Sequence, residues 1–363
     1  MKKLLLATAC LLGMAVPGLA QDIVLGAVIP LSGASATQGM DQQRGIDIAL
    51  EELNAKGGVM GRPIKVITED STSRAATAVD AAKKLVTVNK VPVVIGEYSS
   101  GVTIPIGEYL MQEGVVHLNI ASSSGRLRGL DKGTFFSLLG LDNVSGGFAA
   151  DDVYAQGARK IALIGPNNAF GQGMLEEFKK RYLELGGEVV SEILYTEGQT
   201  SYRRELQQLD AAAPDFFVYT AFSKEAATIN REAFELGLTD RPWYAMYLTM
   251  CIGDSAPEYI EGQTGFDVNY IGPNGQPYQA AYEAKYGHPF ISTFSGYGYD
   301  AVMMTAKAIE MAGSTEPAAI AAAMKEVGKG YDGVTGDITF DAAGFRSKQP
   351  YLKLKVVGGK AVQ

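Results

Sequence analysis

Chemistry that depends on histidine or thiolate has little to work with in this chain. It holds two histidines, His117 in an apolar run and His288 in the turn Tyr286-Gly287-His288-Pro289. A serine hydrolase needs a histidine beside its nucleophile, and a zinc site needs closely spaced His or Cys ligands; neither pattern occurs. Gly165-Pro166-Asn167-Asn168-Ala169-Phe170-Gly171-Gln172-Gly173 is glycine-rich but lacks the lysine of a phosphate loop and the spacing of a dinucleotide fingerprint. An enzyme is therefore not expected, nor a metal or a cofactor. What remains is recognition by hydroxyls and backbone. Ser99-Ser100-Gly101 and Ala121-Ser122-Ser123-Ser124 each follow a short apolar run. A helix start offers free N–H groups and partial positive charge, which suit a carboxylate. Serine hydroxyls add donors, and Gly101 admits close backbone approach. The same residues also suit a plain N-cap and a polar turn.

The elements that must position these turns follow an α/β rhythm. Strands are expected at 23–29, 64–68, 92–95 and 115–118, with helices at 42–55, 75–88 and 104–113 between them. The rhythm repeats with strands at 160–164, 188–194, 215–219 and 243–246 and helices at 142–156, 173–185, 202–210 and 224–236. Helices return at 277–286, 299–312 and 317–327, and strands at 336–340 and 351–357 close the chain. Two successive parallel sheets with helices on both faces imply two lobes and a cleft between them. Residues 140–142 and 265–275 are expected to cross between lobes, with a third crossing near 340–341. The first lobe then takes residues 21–140 and 270–340, and the second takes 141–269 and 341–363.

Residues 1–20 stand apart. Lys2 and Lys3 precede an apolar stretch that ends in Pro17-Gly18-Leu19-Ala20, the pattern of a cleavable secretory leader. The leader implies export to the periplasm. Its removal leaves 30 basic and 40 acidic residues, a net charge near −10, which disfavours nucleic acid as a partner. Cys10 leaves with the leader, so Cys251 is alone and no internal disulfide is available. A chain of this length relies on its two cores instead.

Several local patterns together resemble the leucine/isoleucine/valine-binding family of type I periplasmic binding proteins. They are Gly26-Ala27-Val28-Ile29-Pro30-Leu31-Ser32-Gly33, Asn54-Ala55-Lys56-Gly57-Gly58-Val59-Met60-Gly61-Arg62-Pro63, and Val94-Ile95-Gly96-Glu97-Tyr98-Ser99-Ser100-Gly101. Gly140-Leu141-Asp142 and Gly336-Asp337-Ile338-Thr339-Phe340-Asp341 complete the set, which spans the mature chain in order. The resemblance implies two Rossmann-like lobes joined by three crossovers. It also implies a monomer that closes on a small ligand and delivers it to the permease of an ABC importer. Thr72 and Ser99 stand where many members carry a disulfide.

Carried onto this sequence, the family's ligand site implies contact at Ser100 and Ser99, at the Ala121 carbonyl, and at Ser123 with its neighbour Ser122. Tyr98 and Gln38 are further cleft candidates by their positions in matching loops. The second lobe departs from amino-acid binders. The position of the glutamate that meets an α-ammonium is Tyr247, and two tyrosine positions are matched by Phe170 and Phe222. An ammonium enclosed without a counter-charge is destabilised by several kcal/mol. The expected ligand therefore keeps a carboxylate and lacks the α-amino group; an amino acid is the alternative if Asp254 or another acid approaches. Phe170 and Phe222 also suit a plain core role. The aromatic run 294–299 is expected either to line the cleft rim or to pack beneath it. A sensory module of the same fold is the rival of another class. It would need a DNA-binding head or a membrane span, and neither is legible in the sequence.

Overall fold

The computed structural model describes residues 21–363 except 269, 270, 274 and 293; the expected leader lies outside the described residues. The first half of the chain builds one sheet. Its elements are β1 (Ile23–Ile29), α1 (Ala36–Ala55), β2 (Ile64–Asp70), α2 (Ala75–Thr87), β3 (Val93–Gly96), α3 (Ser100–Gln112), β4 (Val116–Asn119) and β5 (Phe135–Ser137). The strands lie in the order β2-β1-β3-β4-β5, all parallel. β3 and β4 are buried throughout, as sheets covered on both faces require.

The second sheet repeats the plan. α4 (Asp142–Ala155), β6 (Lys160–Pro166), α5 (Ala169–Glu184), β7 (Glu188–Tyr195), α6 (Arg203–Ala211), β8 (Phe216–Tyr219) and α7 (Ser223–Glu235) come first. β9 (Trp243–Met246), the short α8 (Leu248–Ile252) and α9 (Pro257–Ile260), and β10 (Thr264–Val268) follow. The chain then returns to the first sheet as α10 (Gln276–Tyr286), α11 (Ser295–Ala312) and α12 (Pro317–Val327). The hairpin β11 (Lys329–Gly333) and β12 (Gly336–Thr339) comes next. β13 (Tyr351–Val357) and β14 (Lys360–Val362) finish on the edge of the second sheet, whose order is β14-β13-β10-β9-β8-β6-β7. α11 packs along α1, and α12 packs on α11 and β4. Gly45 makes the first contact possible, because a Cβ there would lie 1.8 Å from the Ser295 carbonyl oxygen.

Five expectations about elements need correction, two of them simple early starts: α5 begins at Ala169 rather than 173 and α11 at Ser295 rather than 299. α1 begins at Ala36 rather than 42, because its first turns bury polar Gln38, Asp41 and Gln42 and so carry no apolar period. α3 begins at Ser100 rather than 104, with Pro105 inside it. Proline suits a helix start, which is where the sequence placed it. The stretch expected to cross between lobes from 265 begins instead with β10, parallel to β9 and antiparallel to β13. Gly265 and Asp267 hide that strand from propensity. Yet a Cβ at Gly265 would lie 2.3 Å from the Ala245 carbonyl oxygen, so close packing demands glycine there.

Where the chain passes between lobes, buried side chains tie the passages together. Arg346 donates to the carbonyls of Leu138 (3.2 Å), Thr335 (2.9 Å) and Asp337 (2.7 Å). Gln349 accepts from the Gly140 N–H at 3.2 Å and donates to the Tyr297 hydroxyl at 3.0 Å.

Candidate functional site

The carboxyl ends of the parallel strands in both sheets face one another, and the loops that leave them meet across the cleft. From the first lobe come Tyr98, between β3 and α3, Ala121, after β4, and Phe294, before α11. From the second come Phe170 in the first turn of α5, Phe222 before α7, Tyr247 before α8, and Met250 within α8. These seven line one cavity, with a free volume of about 10 Å³. That is near the least that holds one water, so a ligand body enters only by parting the rings. Tyr98 meets Phe222 and Phe294 edge-on, with centroids 5.9 and 5.1 Å apart. Phe170 lies 5.8 Å from Phe222 and 6.2 Å from Tyr247. Such geometries favour aromatic and apolar partners.

Tyr247 is the conformational outlier of the group. Its backbone is left-handed, φ 65° and ψ 73°, which a bulky side chain rarely adopts. The strain aims the ring into the cavity while α8 starts behind it. Its hydroxyl is buried without a hydrogen-bond partner, as is that of Tyr98. Burial, aided by the nearby Asp142 charge, holds the Tyr247 phenol well above its usual range, so it stays neutral.

The two serine turns adjoin this cage. Ser100 Oγ accepts from the N–H groups of Ser123 (3.3 Å) and Ser124 (3.1 Å). Both hydroxyl lone pairs are thereby engaged, and the O–H remains as a donor. Beside it, Ser100 and Gly101 open α3, where N–H groups lack helical partners. Ser99 spends its N–H on the buried Glu97 carboxyl at 2.7 Å, and Ser71 Oγ donates to the other Glu97 oxygen at 2.6 Å. Burial pushes the Glu97 carboxyl up to about 7, against the relief of these donors.

Ser122 is engaged within its own lobe. Its hydroxyl pairs with Thr103 Oγ1 at 2.6 Å and reaches the Tyr98 carbonyl at 3.0 Å, so it braces the turn. A Cβ at Gly101 would meet Asn168 at an ordinary 3.7 Å, so packing between the lobes does not demand glycine there. Asn119, which the sequence reading missed, shapes the second turn. Its oxygen accepts from the N–H groups of Ala121 (3.3 Å) and Ser122 (2.9 Å), while its nitrogen donates to the Ser122 carbonyl at 2.7 Å. Asparagine ahead of a serine run is the local signal that would have found it. Met250 was also missed, for an isolated methionine carries no signal.

Gln38 lies outside the cage and spans the cleft, donating to Ser223 Oγ at 2.6 Å. Thr37 likewise reaches Asp254 at 3.2 Å on the exposed rim, which occupies that acid away from the cage. A different acid lies closer. Asp142 is fully buried at the start of α4, and neither carboxyl oxygen has a hydrogen-bond partner. Burial pushes it up to about 7. His117 is a core residue: its Nε2 lies 2.8 Å from the Gly96 carbonyl oxygen, and burial lowers its pKa to about 4. Among the described residues, no group of three or more His, Cys, Asp or Glu is placed to hold a metal, and no helix is long and apolar enough to cross a membrane.

Comparison with known proteins gives a consistent picture. A family model described as periplasmic binding protein matches residues 22–360. A Leu/Ile/Val-binding protein homolog 2 of Brucella abortus is 30% identical, with 97% of this chain and 95% of the relative covered. Among solved structures, the branched-chain amino acid transporter substrate binding protein LivJ of Streptococcus pneumoniae, in complex with isoleucine, superposes with TM-score 0.84. It is 25% identical, with 94% of this chain and 97% of that one covered. A solute binding protein of an ABC transporter from R. palustris, in complex with benzoate, superposes at 0.85. At 21% identity, with 94% and 95% covered, it speaks to the fold alone.

Proposed function

The chain belongs to the type I periplasmic binding proteins of the branched-chain amino acid class, and from that premise we propose that it captures a small carboxylate with an apolar or aromatic body and no α-ammonium. Membership in the class makes it a substrate-binding protein of an ABC importer, acting in the periplasm. The composition of the cage carries the finer reading. Tyr98, Ala121, Phe170, Phe222, Tyr247, Met250 and Phe294 bring no ionised side chain to the cavity. An ammonium held there would recover only about 2 kcal/mol from ring faces against a desolvation cost of several. The benzoate bound by the R. palustris protein, a carboxylate on an aromatic ring, has the chemistry this cage favours.

In this reading the carboxylate docks on the Ser100 O–H, the first N–H groups of α3 and the turn at Ala121 and Ser123. Phe170, Phe222 and Tyr247 then close over the body. Closure is driven by second-lobe contacts that exist only in the closed state. The passages braced by Arg346 and Gln349 act as the hinge, with residues 21–140 and 270–340 moving against 141–269 and 341–363. Residues 1–20 direct export and are then removed, and the mature protein acts as a monomer that the permease recognises when closed.

One observation favours a second reading, an amino-acid ligand. Asp142 presents an unpartnered buried carboxyl beside Ser123. An ammonium one carbon from the docked carboxylate would find it. Calorimetric titration with benzoate, isovalerate and leucine separates the two. Acid binding without leucine binding supports the first reading. Leucine binding that is lost in Asp142→Asn, with no acid binding, establishes the second.

A further inference from the structure

Glu97 is a carboxyl that no part of the cycle above uses, and it accepts the N–H of Ser99, the residue next to the docking serine Ser100. It lies fully buried beneath the first turn of α3, with Ser71 Oγ and the Ser99 N–H as donors. Among the described residues no cation pairs with it. The titratable groups around it are Asp70 on β2, whose charge opposes ionisation, Tyr98 beside it, and His117 on β4, whose ring bonds the Gly96 carbonyl. No lysine or arginine lines the cage. A ligand carboxylate on Ser100 would therefore share one helix start with a buried carboxyl and no counter-ion. Two carboxyls in such a site do not both ionise; they hold one proton between them.

We propose that the ligand carboxylate and Glu97 share one proton, so that capture of an anionic acid draws a proton into the cleft. The inference rests on the carboxylate docking at Ser100. It makes Glu97 a positioning residue that also sets the charge of the ligand taken: an acid enters as anion plus proton, whereas a zwitterion brings its own cation. The burial that already holds Glu97 near neutrality in the free protein sets the pH window. Below about pH 6 Glu97 is protonated beforehand and affinity is flat. Above about pH 7 a proton must be taken up, and affinity falls by about tenfold per pH unit.

The test is calorimetric titration of the mature protein with sodium benzoate at pH 6, 7 and 8, in phosphate and in Tris. The difference in heat between buffers counts protons. The expected result is uptake of about half a proton per benzoate at pH 7 and nearer one at pH 8, with no uptake and a flat pH profile in Glu97→Gln. Benzoate binding without proton uptake overturns the proposal and leaves the carboxylate reading standing. So does uptake that persists in Glu97→Gln or disappears in Asp142→Asn, since the proton then belongs to another group. No benzoate binding at any pH removes the docking reading and this proposal with it. A wild-type count of zero overturns the proposal even where Glu97→Gln does not fold, and uptake retained in Asp142→Asn then supports its assignment to Glu97.

Discussion

Replacing Ser100 by alanine separates structure from recognition within one side chain. In the native turn Ser100 Oγ accepts two backbone N–H groups, from Ser123 and Ser124, each about 1% exposed. Alanine leaves both donors buried and unpaired. At about 1–3 kcal/mol for an unsatisfied buried donor, and with partial relaxation of the turn, the expected loss of stability is about 2–3 kcal/mol. In the proposed docking, binding also loses the Ser100 O–H as a donor to the carboxylate. A hydrogen bond to a charged acceptor contributes about 1.5–3 kcal/mol, so benzoate affinity should fall by about 10- to 150-fold. Urea denaturation reads the first effect and calorimetric titration the second, at a temperature where the variant is fully folded. A destabilised variant that binds within twofold of wild type would refute the reasoning, because Ser100 would then hold the turn and nothing else.

Three further outcomes follow from the same geometry. Tyr247→Phe should leave stability unchanged or raise it by about 1 kcal/mol, because the hydroxyl is buried without a partner; a loss above 1 kcal/mol in urea would reveal a bond at that oxygen. Gly45→Ala should destabilise by about 1–3 kcal/mol or more, since its Cβ meets the Ser295 carbonyl at 1.8 Å, and a neutral result would mean α1 and α11 slide apart freely. The pH dependence has a definite sign at His117. Its folded pKa, about 4, lies below the unfolded value of 6.5, so its contribution is present above pH 6.5 and is lost as pH falls through 4. The amount is about 3 kcal/mol. His117→Phe should flatten that part of the acid limb; an unaltered limb would assign the loss elsewhere. Glu97 runs the opposite way, since its folded value is raised from 4.5 to about 7 and its contribution fades as pH rises through 7.

Much of this protein was legible in one dimension because its signals are local. Apolar runs such as Val93–Gly96 and Ile161–Ile164 announce buried parallel strands, and alternation with helices announces the two sheets. The serine turns and the aromatic residues Phe170, Phe222 and Tyr247 were visible as residue types at the ends of strands. What they do together was not. Whether Ser122 faces a ligand or braces a turn depends on Thr103, nineteen residues earlier, meeting its hydroxyl. Gln38 is an unremarkable polar residue until Ser223, 185 positions away, lies opposite it. Buried polar residues hid the start of α1, and a glycine needed for packing hid β10, because propensity reports a residue's own preference and not its neighbours' demands. By itself, then, the sequence determined the layered α/β plan, the turns that end its strands and the aromatic residues that follow them. The tertiary structure alone decided that seven side chains from two lobes close into a cage without charge, and that Glu97 and Asp142 are buried beside it. Those facts are sums over distant contacts, and desolvation, which sets the behaviour of both carboxyls, exists only once the chain has closed around them.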